Sequence, residues 1–241
     1  MNNQGSQNLF TSLDAWFHST QGAWVSQAFC HEIHYLQANT LGGPKQRLLQ
    51  YGGSSKDPWA TALGYREALV VRPDVGAAAA CYAQVQALPW MENSADAVLF
   101  PLTLESSTFS ALDEVDRVLK SMGYLIVFGV NPCSLWGLAW RYGLLTDFAT
   151  TQPSALTAFG LSRALTQRGY EIRSLGHFYY VPPVRSARWI HRLEIMNELG
   201  KMISPYPAGF YVLIARKHDY WMIPTASKHN WSLAWQLGAA Q

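Results

Sequence analysis

The stretch ALPWMENSADAVLFPLTLE, residues 87–105, followed by ALDEVDRVLKSMGYLIVFGVNP, residues 111–132, decides the fold. Ala95–Phe100 is a short uninterrupted apolar run, and Gly123 opens a second, stopped by Asn131-Pro132. Runs of this length bounded by turn residues read as strands buried on both faces. Between them, Thr108–Ser121 carries Leu112, Val115, Val118 and Leu119 on one helical face. Ser110, Asp113 and Glu114 lie near its start, where negative charge complements the helix dipole. A strand, a helix and a strand in succession make a crossover unit, which requires parallel strands and a right-handed connection. The fold class is therefore α/β with a largely parallel sheet.

Toward the N-terminus, EALVVRPD (residues 67–74) is valine-rich and ended by proline, which fits a buried strand, and QRLLQYGG (46–53) reads as an earlier strand and turn. From Leu9 to Gln37, Leu13, Trp16, Phe17, Trp24, Phe29, Ile33 and Leu36 recur at helical intervals, with an interior break expected at Gly22. Toward the C-terminus, SLWGLAWRYGLL (134–145) is rich in tryptophan and Ser154–Arg168 reads as a helix stopped by Gly169. EIRSLGHFYYV (171–181) and FYVLIARK (210–217) read as two strands flanking a helix around Ala187–Leu199, a pair suited to the closing edge of a sheet.

The chain has 241 residues, 49% hydrophobic and 14% charged, which suits one folded domain with a full core. Eighteen Lys and Arg against sixteen Asp and Glu leave a net charge of +2 with no basic stripe, so nucleic acid is not indicated as a partner. The start, MNNQGSQNLF, lacks the basic and apolar regions of a secretory leader, and no apolar run approaches the ~20 residues of a membrane span. A soluble, cytoplasmic protein is expected. Cys30, Cys81 and Cys133 lack zinc or redox spacing and are expected to be reduced and mostly buried. HEIH (31–34) lacks the spacing of HExxH and reads as helix surface, so no metal is expected.

The 87–132 block resembles the class I S-adenosylmethionine-dependent methyltransferases: LPW, a spacer, an Asp-bearing strand, an E-x-x-R-V-L-like helix and a G-x-L-like strand occur in that family's order. NPCSLWGL (131–138) and GFYVLIARK (209–217) are similar to a bacterial subgroup of these type 11-like domains, so the resemblance extends from Gln46 to Lys217. It implies a Rossmann-like seven-stranded sheet of order 3-2-1-4-5-7-6 with helices on both faces and the seventh strand antiparallel. Residues 1–40 would then be an N-terminal helical extension, 41–220 the methyltransferase-like domain and 221–241 a C-terminal tail.

The resemblance places a cofactor, S-adenosylmethionine, at Tyr51, Gly52, Gly53, Asp74, Gln84, Ala87, Leu88 and Pro101. Gly52 and Gly53 stand where the family has three spaced glycines, and Gln50 stands at the strand end that usually carries an acid. The motif is thus degenerate. Asp74 would accept from the ribose hydroxyls, and Gln84 or Gln86 from or to the adenine, with Ala87 and Leu88 as apolar and backbone contacts. Asp96 is expected to pin its strand beside the glycine turn. No catalytic residue is assigned, because the histidines that relatives carry near Leu102 and after Glu105 are missing. His177, Tyr179 and Tyr180 could face an acceptor or simply pack. The Trp136/Trp140 region is either a partner surface or packing against the N-terminal helices. The function implied is methyl transfer to a small-molecule or protein acceptor that the sequence does not identify; the alternative is a methyltransferase-like binding or scaffold protein that has lost cofactor binding and catalysis.

Overall fold

A computed structural model describes residues 3–43, 45–53, 58–74, 79–104, 111–145, 156–184, 186–193, 195 and 207–218. The first half runs α1 (Asn3–Phe17), α2 (Thr20–Asn39), β1 (Arg47–Tyr51), α3 (Pro58–Leu63), β2 (Glu67–Arg72), β3 (Cys81–Tyr82) and β4 (Ala95–Pro101). The second half runs α4 (Ala111–Val118), β5 (Leu119–Val130), α5 (Leu135–Arg141), α6 (Ala158–Gln167), β6 (Tyr170–Phe178), α7 (Ala187–Leu193) and β7 (Phe210–Lys217). The strands form one seven-stranded sheet in the order β3-β2-β1-β4-β5-β7-β6. β3, β2, β1, β4 and β5 are parallel, and β7 is antiparallel to β5 and β6.

All seven residues of β4 are buried, as a central strand covered on both faces requires. Because side chains alternate along a strand, the sheet feeds two cores. Leu48, Ala97, Leu99, Ile126, Phe128, Val212 and Ile214 face one with α2, while Leu49, Val98, Phe100, Leu125, Val127 and Leu213 face the other with α4 and α6. On the first face Phe29 of α2 stacks on Phe128 with ring centroids 4.4 Å apart. On the second, α4 buries Ala111, Leu112, Val115 and Val118. Its Glu114 accepts the Leu88 N–H at 2.9 Å, so the LPW turn is tied to the crossover helix.

Several boundaries differ from the expectation. The break between the N-terminal helices lies at His18-Ser19, where Ser19 caps α2 by accepting the Gly22 N–H. Gly22 is inside α2, and a Cβ there would lie 1.9 Å from the Trp16 carbonyl, so its glycine serves close helix approach rather than a break. The helix expected over 108–121 is α4, and the chain is already paired with β4 at Leu119; residues 105–110 lie outside the described set. A bulge absorbs Lys120–Gly123 between the Ala95–Leu119 and Ala97–Tyr124 pairs, with Met122 at φ +65°.

The helix expected over 154–168 is α6, ended by Gly169 at φ +84°. The one expected around 187–199 is described as α7, and residues 146–155, 194, 196–206 and 219–241 lie outside the described set. The Trp-rich segment contains α5, capped by Ser134. Cys133 is exposed and Cys30 and Cys81 are half-buried, so the three are not mostly buried as expected. Among the described residues no helix is long and apolar enough to cross a membrane.

Candidate functional site

Between β1 and β4 the strand order reverses, and in an open α/β sheet the crevice outside the carboxyl ends at that point is where ligands bind. The chain leaves β1 there through Gly52 and Gly53, at φ +91° and +72°. Both lie in the left-handed region that glycine adopts without strain. Leu102, just after β4, also has positive φ, +63°, a conformation costly for a bulky side chain and often retained at functional sites. It sends Thr103 back across the crevice, where Thr103 Oγ1 donates to the Tyr51 carbonyl at 2.6 Å.

β2 delivers Arg72 and Asp74 to the same crevice. Arg72 is wholly buried and donates from Nε and Nη2 to the two Asp74 oxygens at 2.8 and 2.9 Å. From Nη1 it donates to the Gly53 carbonyl at 2.7 Å and to Asp14 of α1. Burial works against the guanidinium charge, yet Asp74 and Asp14 outweigh it and hold its pKa above the ordinary value. Burial raises the Asp14 carboxyl above its ordinary value despite Arg72.

Three side chains of α1 close the crevice. Phe10 packs edge-on to Tyr51 at 5.5 Å and lies 6.0 Å from the Arg72 guanidinium carbon. A Cβ on Gly52 would lie 2.5 Å from Thr103 Cγ2 and 3.0 Å from Phe10. Thr11 Oγ1 donates to Asp74 at 3.2 Å, and Asp14 meets Arg72. Behind them Tyr51 is buried, its hydroxyl accepts the Val85 N–H at 3.1 Å, and burial pushes its pKa up to about 12.

Of the residues expected to hold a cofactor, the structure brings Tyr51, Gly52, Gly53, Asp74 and Pro101 to this crevice. Gln84 and Ala87 are exposed, joined in a turn by the Ala87 N–H to Gln84 carbonyl bond. Leu88 is buried with its N–H on Glu114 and its carbonyl on Arg117, so its backbone serves α4. Asp96 pins strands at the opposite end, accepting the Arg47 N–H at the start of β1 and Lys120 Nζ.

Tyr179 and Tyr180 are buried, Tyr179 against Trp136 and Phe210, while His177 is exposed on the edge strand β6. Trp136 is buried against Trp16 of α1, which places it in packing; the exposed apolar residues beside it are Leu135, Leu138, Tyr142 and Leu144. His31 and His34 are exposed on α2, and no metal-holding cluster occurs among the described residues. Sequence reasoning missed Phe10, Asp14 and Arg72. The available signals were an arginine inside an apolar strand with an aspartate two residues on, and an aromatic–acid pair at i, i+4 on the first helix.

Sheet order, the antiparallel last strand and the crevice after β1 together define the fold as the Rossmann-like one of the class I S-adenosylmethionine-dependent methyltransferases. Among solved structures, a methyltransferase from Archaeoglobus fulgidus is similar at 15% identity and TM-score 0.55, covering 83% of this chain and 96% of its own. One in a complex between the Haloferax volcanii Trm112 methyltransferase activator and a methyltransferase is similar at 11% identity and TM-score 0.57, covering 86% and 98%. The [4+2]-cyclase SpnF is similar at 18% identity and TM-score 0.52, covering 80% and 82%. A cyclase among them illustrates that this fold does not by itself fix the reaction. No protein-family profile and no curated protein matches the chain.

The part of the crevice carried by the sheet fits S-adenosylmethionine. Gly52 presents backbone without a Cβ, and Asp74 supplies a carboxylate. Gln50 is wholly buried, its Nε2 donating to the Gly52 carbonyl at 3.0 Å, while its Oε1 accepts no hydrogen bond. A buried acceptor without a donor is costly, and an ammonium group would satisfy it. What stands in the way is α1.

Proposed function

We propose that this chain transfers a methyl group from S-adenosylmethionine to an acceptor not assigned by its residues. The observation that carries the reading is the unsatisfied Gln50 Oε1 beside the left-handed Gly52–Gly53 turn, at the sheet's switch point. The bound cofactor would supply the electrophilic methyl group. Gly52 and Gly53 would admit it close to the backbone, Gln50 would accept from its ammonium, and Asp74 would accept from its ribose. Gln84, Ala87 and Leu88 would border the adenine end, since the Val85 N–H already ties this loop to Tyr51. Tyr51, with its hydroxyl pKa near 12, stays protonated at neutral pH and serves as a wall rather than a base. Rate acceleration would come from proximity and orientation, which suits a crevice whose described residues include no activated base.

A second reading, a binding or scaffold protein without cofactor, is favoured by one contact: both Asp74 oxygens are held by the wholly buried Arg72. Titration of the purified protein with S-adenosylmethionine and S-adenosylhomocysteine by calorimetry separates the two. Saturable binding at one site supports the enzyme. No heat from either ligand at millimolar concentration, with the wild type and with a variant lacking the α1 contacts, leaves the scaffold.

A further inference from the structure

Resting on the methyl-transfer reading, we infer that α1 is an intramolecular competitor for the cofactor, and that the crevice opens only when the Phe10–Asp14 part of this helix lifts away. Among the described residues, this one helix places three side chains over the crevice, beside Thr103: Phe10 on Gly52 and Tyr51, Thr11 on Asp74, and Asp14 on Arg72. Gly52, Tyr51 and Asp74 belong to the site proposed for the ligand, so the helix occupies part of that site. An aromatic ring lies over the glycine turn and a carboxylate lies on the guanidinium. A ligand with a flat ring and a charged amino-acid end offers the same kinds of group.

The anchorage of α1 is uneven. Leu13, Trp16 and Phe17 are buried in the opposite core, where Trp16 meets Trp136 and Phe17 meets Trp59 at 4.7 Å. Among the described side chains of α1, Phe10 alone packs in the core on the glycine-turn side. Asp14 keeps part of its side chain in solvent, 17% exposed, whereas Arg72 has none. Release of Phe10–Asp14 therefore also withdraws Leu13 from the opposite core, while Trp16 and Phe17 hold the end of the helix. Arg72 stays neutralised throughout, because Asp74 holds two of its nitrogens independently of α1. Gln50 Oε1 lacks a hydrogen-bond partner, a cost that cofactor binding would relieve, and because ligand and α1 exclude each other at Gly52, binding favours the open helix. Apparent affinity is then lowered by the fraction of molecules that are closed.

The test compares full-length wild type with Phe10→Ala, Asp14→Asn and the double variant, using S-adenosylhomocysteine as probe. Calorimetry reads affinity, and hydrogen exchange reads the amides of residues 3–17. Asp14→Asn keeps side-chain volume, and near-UV circular dichroism confirms that each variant is folded. The inference expects the double variant to bind at least about tenfold tighter than wild type. It also expects saturating ligand to speed exchange in the wild-type helix. Equal affinities, or ligand-induced protection of α1, would overturn the competitor role and leave the methyl-transfer reading standing. No binding by any folded variant would overturn that reading and this inference with it.

Discussion

Replacing Arg72 by methionine should be among the most damaging single changes in the protein. The guanidinium is wholly buried, and its removal leaves Asp74, with a 4% exposed side chain, as a charge without its partner. It also strips the Gly53 carbonyl and Asp14 of a donor. Breaking a buried ion pair from one side costs about 3–5 kcal/mol. With a urea dependence of about 2 kcal/mol per molar, the unfolding midpoint should fall by about 1.5–2.5 M. The partner variant Asp74→Leu should be damaging as well, because it strands the arginine. Arg72→Met with Asp74→Leu together should recover part of the loss, giving a coupling energy of about 2 kcal/mol. Urea unfolding followed by tryptophan fluorescence measures all three. A loss below about 1 kcal/mol for Arg72→Met would mean that water reaches the guanidinium, and the closed crevice described above would be wrong.

Gly52→Ala should destabilise by about 1–3 kcal/mol through its left-handed backbone, with more from the contact on Thr103, as read by thermal unfolding. Gly43→Ala, at φ +88° with nothing within 4 Å of the added carbon, should show the backbone cost alone. Phe29→Ala should cost about 3–5 kcal/mol, since this ring is wholly buried among Phe128, Phe178 and Phe210; a smaller loss in chemical denaturation would argue against α2 lying on the sheet. Burial raises the Tyr51 hydroxyl from about 10 to about 12. The fold therefore favours its protonated form, and the associated stability is intact below pH 10 and lost as pH rises through 12. The loss should be at most about 3 kcal/mol, and Tyr51→Phe should flatten it in the alkaline limb of the pH–stability curve.

The central sheet was legible because β4 and β5 are buried on both faces and so appear as unbroken apolar runs, and α4 between them shows one clean apolar face. Element ends were less legible. Leu119 satisfies a helical pattern as well as a strand, and only its pairing with Ala95 assigns it to β5. Gly22 carried a misleading signal, since a glycine required for close helix approach looks in sequence like a helix break. At the crevice, the glycine turn and Asp74 could be placed because they lie at strand ends. The groups that fill it could not. Phe10, Thr11 and Asp14 lie on a helix whose docking partners Tyr51, Asp74 and Arg72 are 41 to 63 residues away along the chain, and no local pattern encodes that approach. Asp96 illustrates the same limit: its partners at Arg47 and Lys120 put it at the far end of the strands from the turn it was expected to support.

A crystal structure of the wild-type protein grown with saturating S-adenosylhomocysteine tests the account most directly. It should show the ligand over Gly52 and Gly53, its amino group within hydrogen-bond distance of Gln50 Oε1, and Phe10 and Asp14 withdrawn from Gly52 and Arg72. Phe10 still seated on Gly52, with the ligand absent or bound elsewhere, would contradict it.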